Sequence, residues 1–225
     1  MIKEGLLVEP EFNNISKYLQ SGERTKVTDE IKEVSEKIKG QTGGVLIRNI
    51  LVWMHQNTSR LQNSRDSRKF KRTAFDIFDS RDCAGCCDSS TLFTALARSK
   101  NIPTMQIITL SKEWGRRLDI REKLEHEGHY FVACYLSDAM EKYDWVLIDP
   151  DRNIRDVRDV RLSRLNKENR NIDKDYYAFA YIRDYSDMVY NGIKIDSIEN
   201  MIKIQIAAYR QCNIKDFSYE DERER

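Results

Sequence analysis

"RDCAGCCDSSTLFTALARSKNIP", residues 81–103, places three of the chain's five cysteines within five positions and then runs into an apolar pattern of helical period. From Cys87 to Ser99 the residues Leu92, Phe93, Leu96 and Ala97 recur at three- and four-residue steps, which predicts a core-facing helix. Asn101 and Pro103 end it. Thiols crowded at the mouth of a helix have four readings: metal ligands, disulfide partners, inert packing, or a reactive nucleophile with spares beside it.

Bulk composition narrows the choice. A chain of 225 residues with 40% hydrophobic and 33% charged residues can build a core under a well-solvated surface, as one domain or a tight pair. Lys and Arg (38) nearly cancel Asp and Glu (37), so the strongly basic footprint of a nucleic-acid binder is missing. No stretch approaches the ~20 apolar residues of a membrane span. "MIKEGLLVEPEFNN" lacks the apolar core and cleavage site of a signal peptide. The expectation is a cytoplasmic protein with neither a nucleic-acid nor a membrane partner. In that compartment thiols stay reduced, which favours catalytic or metal-binding cysteines over disulfides.

Outward from the cysteines, "TDEIKEVSEKIKG" (28–40) and "GGVLIRNILVWMHQNTSRL" (43–61) carry helical periodicity, the second more buried. "NSRDSRKFKR" (63–72) reads as a solvated basic loop, and "AFDIFDSR" (74–81) is ambiguous and a poor strand. "TMQIITL" (104–110), "HYFVACYL" (129–136), "DWVLIDP" (144–150) and "YYAFAYIRDY" (176–185) are strand candidates, the third halted by Pro150. Between the first two, "SKEWGRRLDIREKLEHE" (111–127) reads as a charged, partly helical excursion. "RDYSDM" (183–188) reads as surface or turn, "DSIENMIKIQIAAYRQC" (196–212) as a closing helix, and "DERER" as a frayed tail. Helices followed by several strands predict an α+β domain with an antiparallel sheet.

A thiol becomes reactive when its pKa falls, and a helix N-terminus beside an imidazolium lowers it. Cys86 follows Ala84-Gly85, where the chain turns into the helix, and Asp88, Ser89 and Ser90 suit the first turn. A thiolate needs a base, and the base an orienter. Of three histidines, His55 lies in an apolar helix pattern and His126 in a charged stretch. His129 opens a strand and shares a face with Phe131, Ala133 and Tyr135. Asp149 ends the next strand, so antiparallel pairing of the two would bring it near His129.

These residues carry a resemblance. "GCCDSSTLFTALARSKNIP", "GHYFVACYL" and "DWVLIDP", in that order, resemble the transglutaminase-like superfamily. Its pattern runs Cys-x-[Asp/Glu]-x-[Ala/Ser] into a helix ending near "GIP", then His-x-aromatic, then Trp-x-x-x-Asp-Pro. Cys86 matches the nucleophile, Asp88 the acidic and Ser90 the small residue after it, His129 the base and Asp149 the orienting carboxylate. The resemblance covers residues 27–150 of a single 1–225 domain, with 151–225 completing the sheet and closing helix. It implies a papain-like α+β fold, with the nucleophile on a helix N-terminus packed against an antiparallel sheet. It also implies thiol chemistry at an amide carbonyl of a peptide or protein through a thioester, with no cofactor and no metal. Asn101 replaces the usual glycine before "IP", Phe131 the commoner Trp, and Arg60 an aromatic that lines the cleft. Residues 111–127 are long for the family and suit a flap over the cleft.

Using Cys87 as nucleophile would shift the acidic residue out of register, so Cys86 is the better match. Cys83 is ancillary, and Cys134 and Cys212 read as core or structural. A catalytically silent peptide- or partner-binding module is the alternative. A zinc module using Cys83 and Cys86 is a second, weakened by having one C-x-x-C and no second pair. Hydrolysis is favoured over crosslinking, because the compact chain shows no sign of the accessory domains that the resembling animal crosslinkers carry. The residues that bind substrate are not legible.

Overall fold

Threonine caps begin the helical half. Thr28 accepts a hydrogen bond from Ile31 N at the start of α1 (Asp29–Lys37), and Thr42 one from Val45 N at the start of α2 (Gly43–Asn57). A computed structural model describes residues 8–61, 68–119, 127–136, 144–155, 160 and 162–212. His126, the "DERER" tail and most of the second half of the predicted flap lie outside these residues.

"AFDIFDSR", ambiguous in sequence, forms a helix, α3 (Ala74–Ser80). Thr73 accepts from Asp76 N while the Asp76 carboxylate accepts from Thr73 N, so a reciprocal capping box decides the conformation. Arg81, at φ 56°, then reverses the chain into the two-residue strand β2 (Asp82–Cys83), which pairs in parallel with β1 (Ser59–Arg60). After Gly85 begins α4 (Cys86–Ser99), whose residues from Cys87 to Arg98 are all buried. Its interior hydroxyls are paired: Thr91 and Thr94 each donate one turn back, to Cys87 O and Ser90 O, and Ser90 Oγ reaches Tyr130 O. Asn101, at φ 57°, takes the left-handed turn that the sequence pattern allows it.

The sheet is five-stranded and antiparallel, in the order β6 (Ser163–Arg164), β5 (Asp144–Ile148), β4 (Tyr130–Leu136), β3 (Thr104–Ser111), β7 (Tyr176–Ile182). One face packs Val132, Cys134, Leu136, Val146 and Ile148 under α1 to α4. Along the same side, Ile108, Leu110 and Tyr130 meet Trp114 of α5 (Lys112–Asp119) and the Met201–Ala208 stripe of α7 (Ile198–Gln211). The opposite face buries Met105, Ile107, Phe131, Ala133 and Trp145 beneath Tyr18. Pro150 does more than stop β5: it is the first residue of α6 (Pro150–Arg155), where its missing N–H leaves no bond unmade. Hairpin β8 (Val189–Tyr190)–β9 (Ile193–Lys194) turns at Asn191-Gly192, both at positive φ. Among the described residues no helix is long and apolar enough to cross a membrane.

"RDYSDM" forms a turn, Tyr185–Asp187, with Asp187 exposed, but it is not surface throughout. Asp184 is fully buried and accepts from Thr25 N at 2.8 Å, Thr25 Oγ1 at 2.6 Å and Ser186 N at 2.9 Å. Burial works to raise its pKa, but the donors of Ser186 and Thr25 outweigh burial and hold the carboxyl below its ordinary value. Arg98, near the end of α4, completes this cluster. It donates to Tyr18 O, Thr25 Oγ1, Thr104 O and Arg183 O at 2.6–2.8 Å. Burial pushes its pKa down to about 10, a measure of how dry the site is.

One guanidinium thus ties the amino-terminal segment, α4, β3 and the end of β7 together. Replacing it with Met strands four acceptors and leaves Asp184 charged in a dry pocket. Arg98→Met is expected to lower unfolding stability by about 3–5 kcal/mol, read from the urea midpoint. A loss below about 1 kcal/mol would show that the cluster is not a structural tie.

Candidate active site

The approach to α4 is set by one conformation and one carboxylate. Gly85 has φ 157° and ψ −167°, a region that only glycine occupies readily. Its carbonyl accepts from both Asp88 N and Ser89 N at 3.1 Å, closing the first turn. The N–H groups of Cys86 and Cys87 have no acceptor among the described hydrogen bonds, so the helix presents two open donors there.

Asp88, the acidic residue of the cysteine motif, points back into the protein. Its Oδ2 accepts from Ala84 N at 2.9 Å and from Arg72 Nη1 at 3.0 Å. Burial raises its pKa, opposed by the Ala84 amide and the Arg72 charge. Arg72 also donates to Asp82 Oδ1 at 2.6 Å, to Asp82 O and Asp76 O at 3.0 Å, and to Ser80 Oγ. The solvated-loop expectation for residues 63–72 therefore fails at Phe70 and Arg72, while Arg68 and Lys71 are exposed. Arg72 and Phe70 are buried, because one ion-pair partner and one apolar pocket recruit them from a basic stretch.

His129 stands just before β4. Its N–H donates to Thr109 Oγ1 at 3.2 Å, while Thr109 N and Oγ1 donate to His129 O at 3.1 and 2.9 Å. The β4–β5 register pairs Val132 with Ile148, which sets Asp149 diagonal to His129 on one face. His129 Nε2 and Asp149 Oδ2 lie 2.8 Å apart. The other Asp149 oxygen accepts from Arg152 N at 3.0 Å, fixing the carboxylate at the start of α6. The Cys86 side chain lies close enough to the His129 ring to act on its charge. With Nε2 committed to Asp149, Nδ1 is the nitrogen left to face the sulfur.

Burial of His129 opposes its charged form, but the electrostatic influence of Cys86 and of the Asp149 carboxylate outweighs burial, raising its pKa to about 10. The ring lies between the Asp149 carboxylate and the Cys86 side chain. Phe131 meets the ring edge-on at 4.7 Å, and Tyr176 tilts over it at 5.4 Å.

The structure thus brings Cys86, His129 and Asp149 together. The other thiols differ in kind. Cys86 is half-exposed, while Cys83, Cys87, Cys134 and Cys212 are buried. Burial pushes Cys83 up to about 11 and Cys134 up to about 12, and burial with the adjacent Asp88 carries Cys87 well above the ordinary thiol value. His55 is an exposed residue of α2. For the zinc reading, no group of three His, Cys, Asp or Glu side chains gathers as a metal site among the described residues.

Arg60, where the family pattern has an aromatic, pairs with buried Asp151 at 3.3 Å; Asp151 also accepts from Ser89 Oγ at 3.4 Å. Trp114, in the first part of the predicted flap, is wholly buried against the core. Arg72, Thr109 and Tyr176 were not legible as site residues, because each acts through partners distant in sequence.

No match was found among curated proteins. A solved structure from Cytophaga hutchinsonii, provisionally described as a cysteine protease, aligns with a TM-score of 0.52 at 17% identity, over 84% of this chain and 54% of that one. The chain therefore spans about half of that structure's length, and what the two share is the fold. A profile of the transglutaminase-like superfamily matches residues 30–150. That match takes in more than half of the sequence, and the chain belongs to the transglutaminase-like superfamily.

Proposed function

We propose that this chain is a cysteine-dependent hydrolase of peptide or protein amide bonds, working through a thioester acyl-enzyme. The observation that carries the reading is the His129 ring, hydrogen-bonded to Asp149 at 2.8 Å and close to the Cys86 side chain at the start of α4. Membership of the superfamily and a neighbour provisionally described as a cysteine protease support the same class of chemistry.

In the proposed reaction the Cys86 thiolate adds to the amide carbonyl carbon, and the C=O electron pair moves onto oxygen. The Cys86 N–H lies where that oxygen develops charge; a donor of this kind contributes about 2.7–4 kcal/mol. His129 gives its proton to the departing amine as the C–N bond breaks, leaving the acyl group on sulfur. Neutral His129 then takes a proton from water as it attacks the thioester, and the C–S bond breaks to restore the ion pair. Asp149 holds the ring in one orientation and stabilises its charged form throughout. An amine in place of water would give transamidation from the same intermediate. Hydrolysis is the outcome proposed.

Two predictions follow from this chemistry. Iodoacetamide labelling of the full chain is expected to be selective for Cys86 and to keep a substantial rate near pH 6. A rate that climbs only above pH 8 would contradict a resting thiolate. Turnover should decline on the alkaline side near pH 10, as His129 loses its proton from a raised pKa. Asp149→Asn should move that limb to lower pH, and His129→Ala should slow turnover by about 10²–10⁴-fold.

The decisive experiment incubates the chain with a peptide and glutamine-substrate library and reads acyl adducts by mass spectrometry. An adduct on Cys86 that decays in water faster than it passes to an added primary amine fits hydrolysis. Preferential transfer to the amine would replace hydrolysis with crosslinking. An ordered fold with no fast thiol and no adduct would mark a silent binding module.

A further inference from the structure

Two adjacent hydroxyls of α4 leave the helix for the two loops that the proposed reaction must bring to Cys86. Ser90 Oγ donates to Tyr130 O at 3.2 Å, beside His129. Ser89 Oγ lies 3.4 Å from Asp151 Oδ1, two residues beyond Asp149. The first tie ends on a main-chain carbonyl. The second ends on a carboxylate, and a buried carboxylate is held in place only where its charge is matched.

Asp151 is 2% exposed, and Arg60 supplies the match, with Nη2 at 3.3 Å from Asp151 Oδ2. Arg60 itself is exposed. Its strand, β1, pairs Arg60 with Cys83 and sends Leu61 N to Cys83 O at 2.9 Å. The guanidinium therefore bridges the strand beside the cysteine loop and the start of α6. An aromatic at this position, as in the family pattern, could cover Asp151 but could not neutralise it.

Little slack separates this bridge from the candidate triad. Asp149 and Asp151 flank Pro150, whose ring restricts the backbone between them, and Asp149 Oδ1 accepts from Arg152 N at 3.0 Å. A displacement of Asp151 is thus carried to Asp149, and through the 2.8 Å hydrogen bond to the His129 ring. At the other end, Ser89 lies one turn from Cys86, and its Oγ is also 3.3 Å from Gly85 O. Apolar packing of α4 on the sheet is non-directional, and the two serine ties add direction to it. Without Arg60, Asp151 carries an unmatched charge in a dry site. Turning toward water relieves that charge and draws the start of α6 off Ser89.

We propose that Arg60 is a positioning residue for this chemistry: by matching the charge of Asp151 it keeps Asp151 on Ser89, and so holds the His129–Asp149 pair in register with Cys86. The inference rests on the reading of Cys86, His129 and Asp149 as the reacting group, and its test separates the two. The full chain and its variants are labelled with iodoacetamide at pH 6 and at pH 9, and Cys86 is followed by peptide mapping. At pH 6 fast labelling depends on His129, whereas at pH 9 ordinary thiols ionise unaided.

Arg60→Met is expected to slow labelling at pH 6 by about tenfold, a fraction of the ~10²-fold that a 1 Å misplacement costs, and to leave the pH 9 rate close to wild type. Arg60→Lys keeps the charge and should retain most of the pH 6 rate. The deciding comparison is a double-mutant cycle. Asp151→Asn keeps an oxygen for Ser89 and removes the charge that needs matching, so adding Arg60→Met to it should cause no further slowing. No buried charge is stranded in that background, which keeps the comparison between folded proteins, checked by melting temperature. An Arg60→Met variant as fast as wild type at pH 6 overturns the inference. So does an equal loss in both backgrounds, which would assign Arg60 a direct action on Cys86. Slow labelling of the wild type at pH 6 overturns the nucleophile reading itself, and the positioning role with it.

Discussion

The architecture turns on a helix that is buried along its length yet open at its first turn. A buried helix end is unfavourable unless its unpaired amides find partners. Here the partners are divided. Gly85 O closes the turn for Asp88 and Ser89, and the Cys86 and Cys87 amides have no acceptor among the described hydrogen bonds. The rest of α4 is surrounded by α1, α2, α3 and the sheet, so its axis has little freedom to shift. The position of the Cys86 sulfur is therefore set by the packing of the whole domain core rather than by the cysteine loop alone.

Electrostatics at the helix mouth depend on Asp88 being neutralised from behind. A carboxylate two residues from a thiolate opposes the thiolate's charge. Arg72 stands within 3.0 Å of Asp88 and also binds Asp82, so the cluster of acids is matched on the side away from His129. Asp149 acts from the other side, on the imidazole. The same carboxylate chemistry thus has two uses: one acid clamps the loop through Ala84 N, the other sustains the charge of His129. Burial sorts the thiols in the same way. Cys87, one residue from Cys86, hydrogen-bonds Asp88 at 3.7 Å and is enclosed, which disfavours its ionised form.

Much of this was legible because local rules and tertiary packing agree. Strand alternation put His129 and Asp149 on one face, and the antiparallel register then joined them. Residues whose roles come from distant partners were illegible. Arg98 sits near the end of an apolar helix and would pass for a surface cation, but Tyr18, Thr25, Thr104 and Arg183 enclose it. Asp184 does cap a turn through Ser186, but its burial was not legible because its other donor, Thr25, is distant in sequence. "AFDIFDSR" stayed ambiguous because its own composition does not decide, whereas the deciding signal was the Thr73–Asp76 box at its edge.

The carboxy-terminal third supplies what the family-matched residues 30–150 lack. β7 adds to the free edge of β3 and brings Tyr176 over the His129 ring, with α7 packing beneath the Tyr130 side of the sheet. An aromatic face against an imidazolium is favourable, and more so when water is excluded. Tyr176 and Phe131 touch each other at 5.6 Å as well as the ring between them. A rotation of His129 away from Asp149 would therefore disturb both aromatic contacts as well as the hydrogen bond. With Thr109 gripping the His129 backbone through three bonds, the imidazole is constrained at every rotatable point from main chain to ring. The charge of this histidine is thus tied to one geometry, and β3, β5 and β7 must all be in place to produce it.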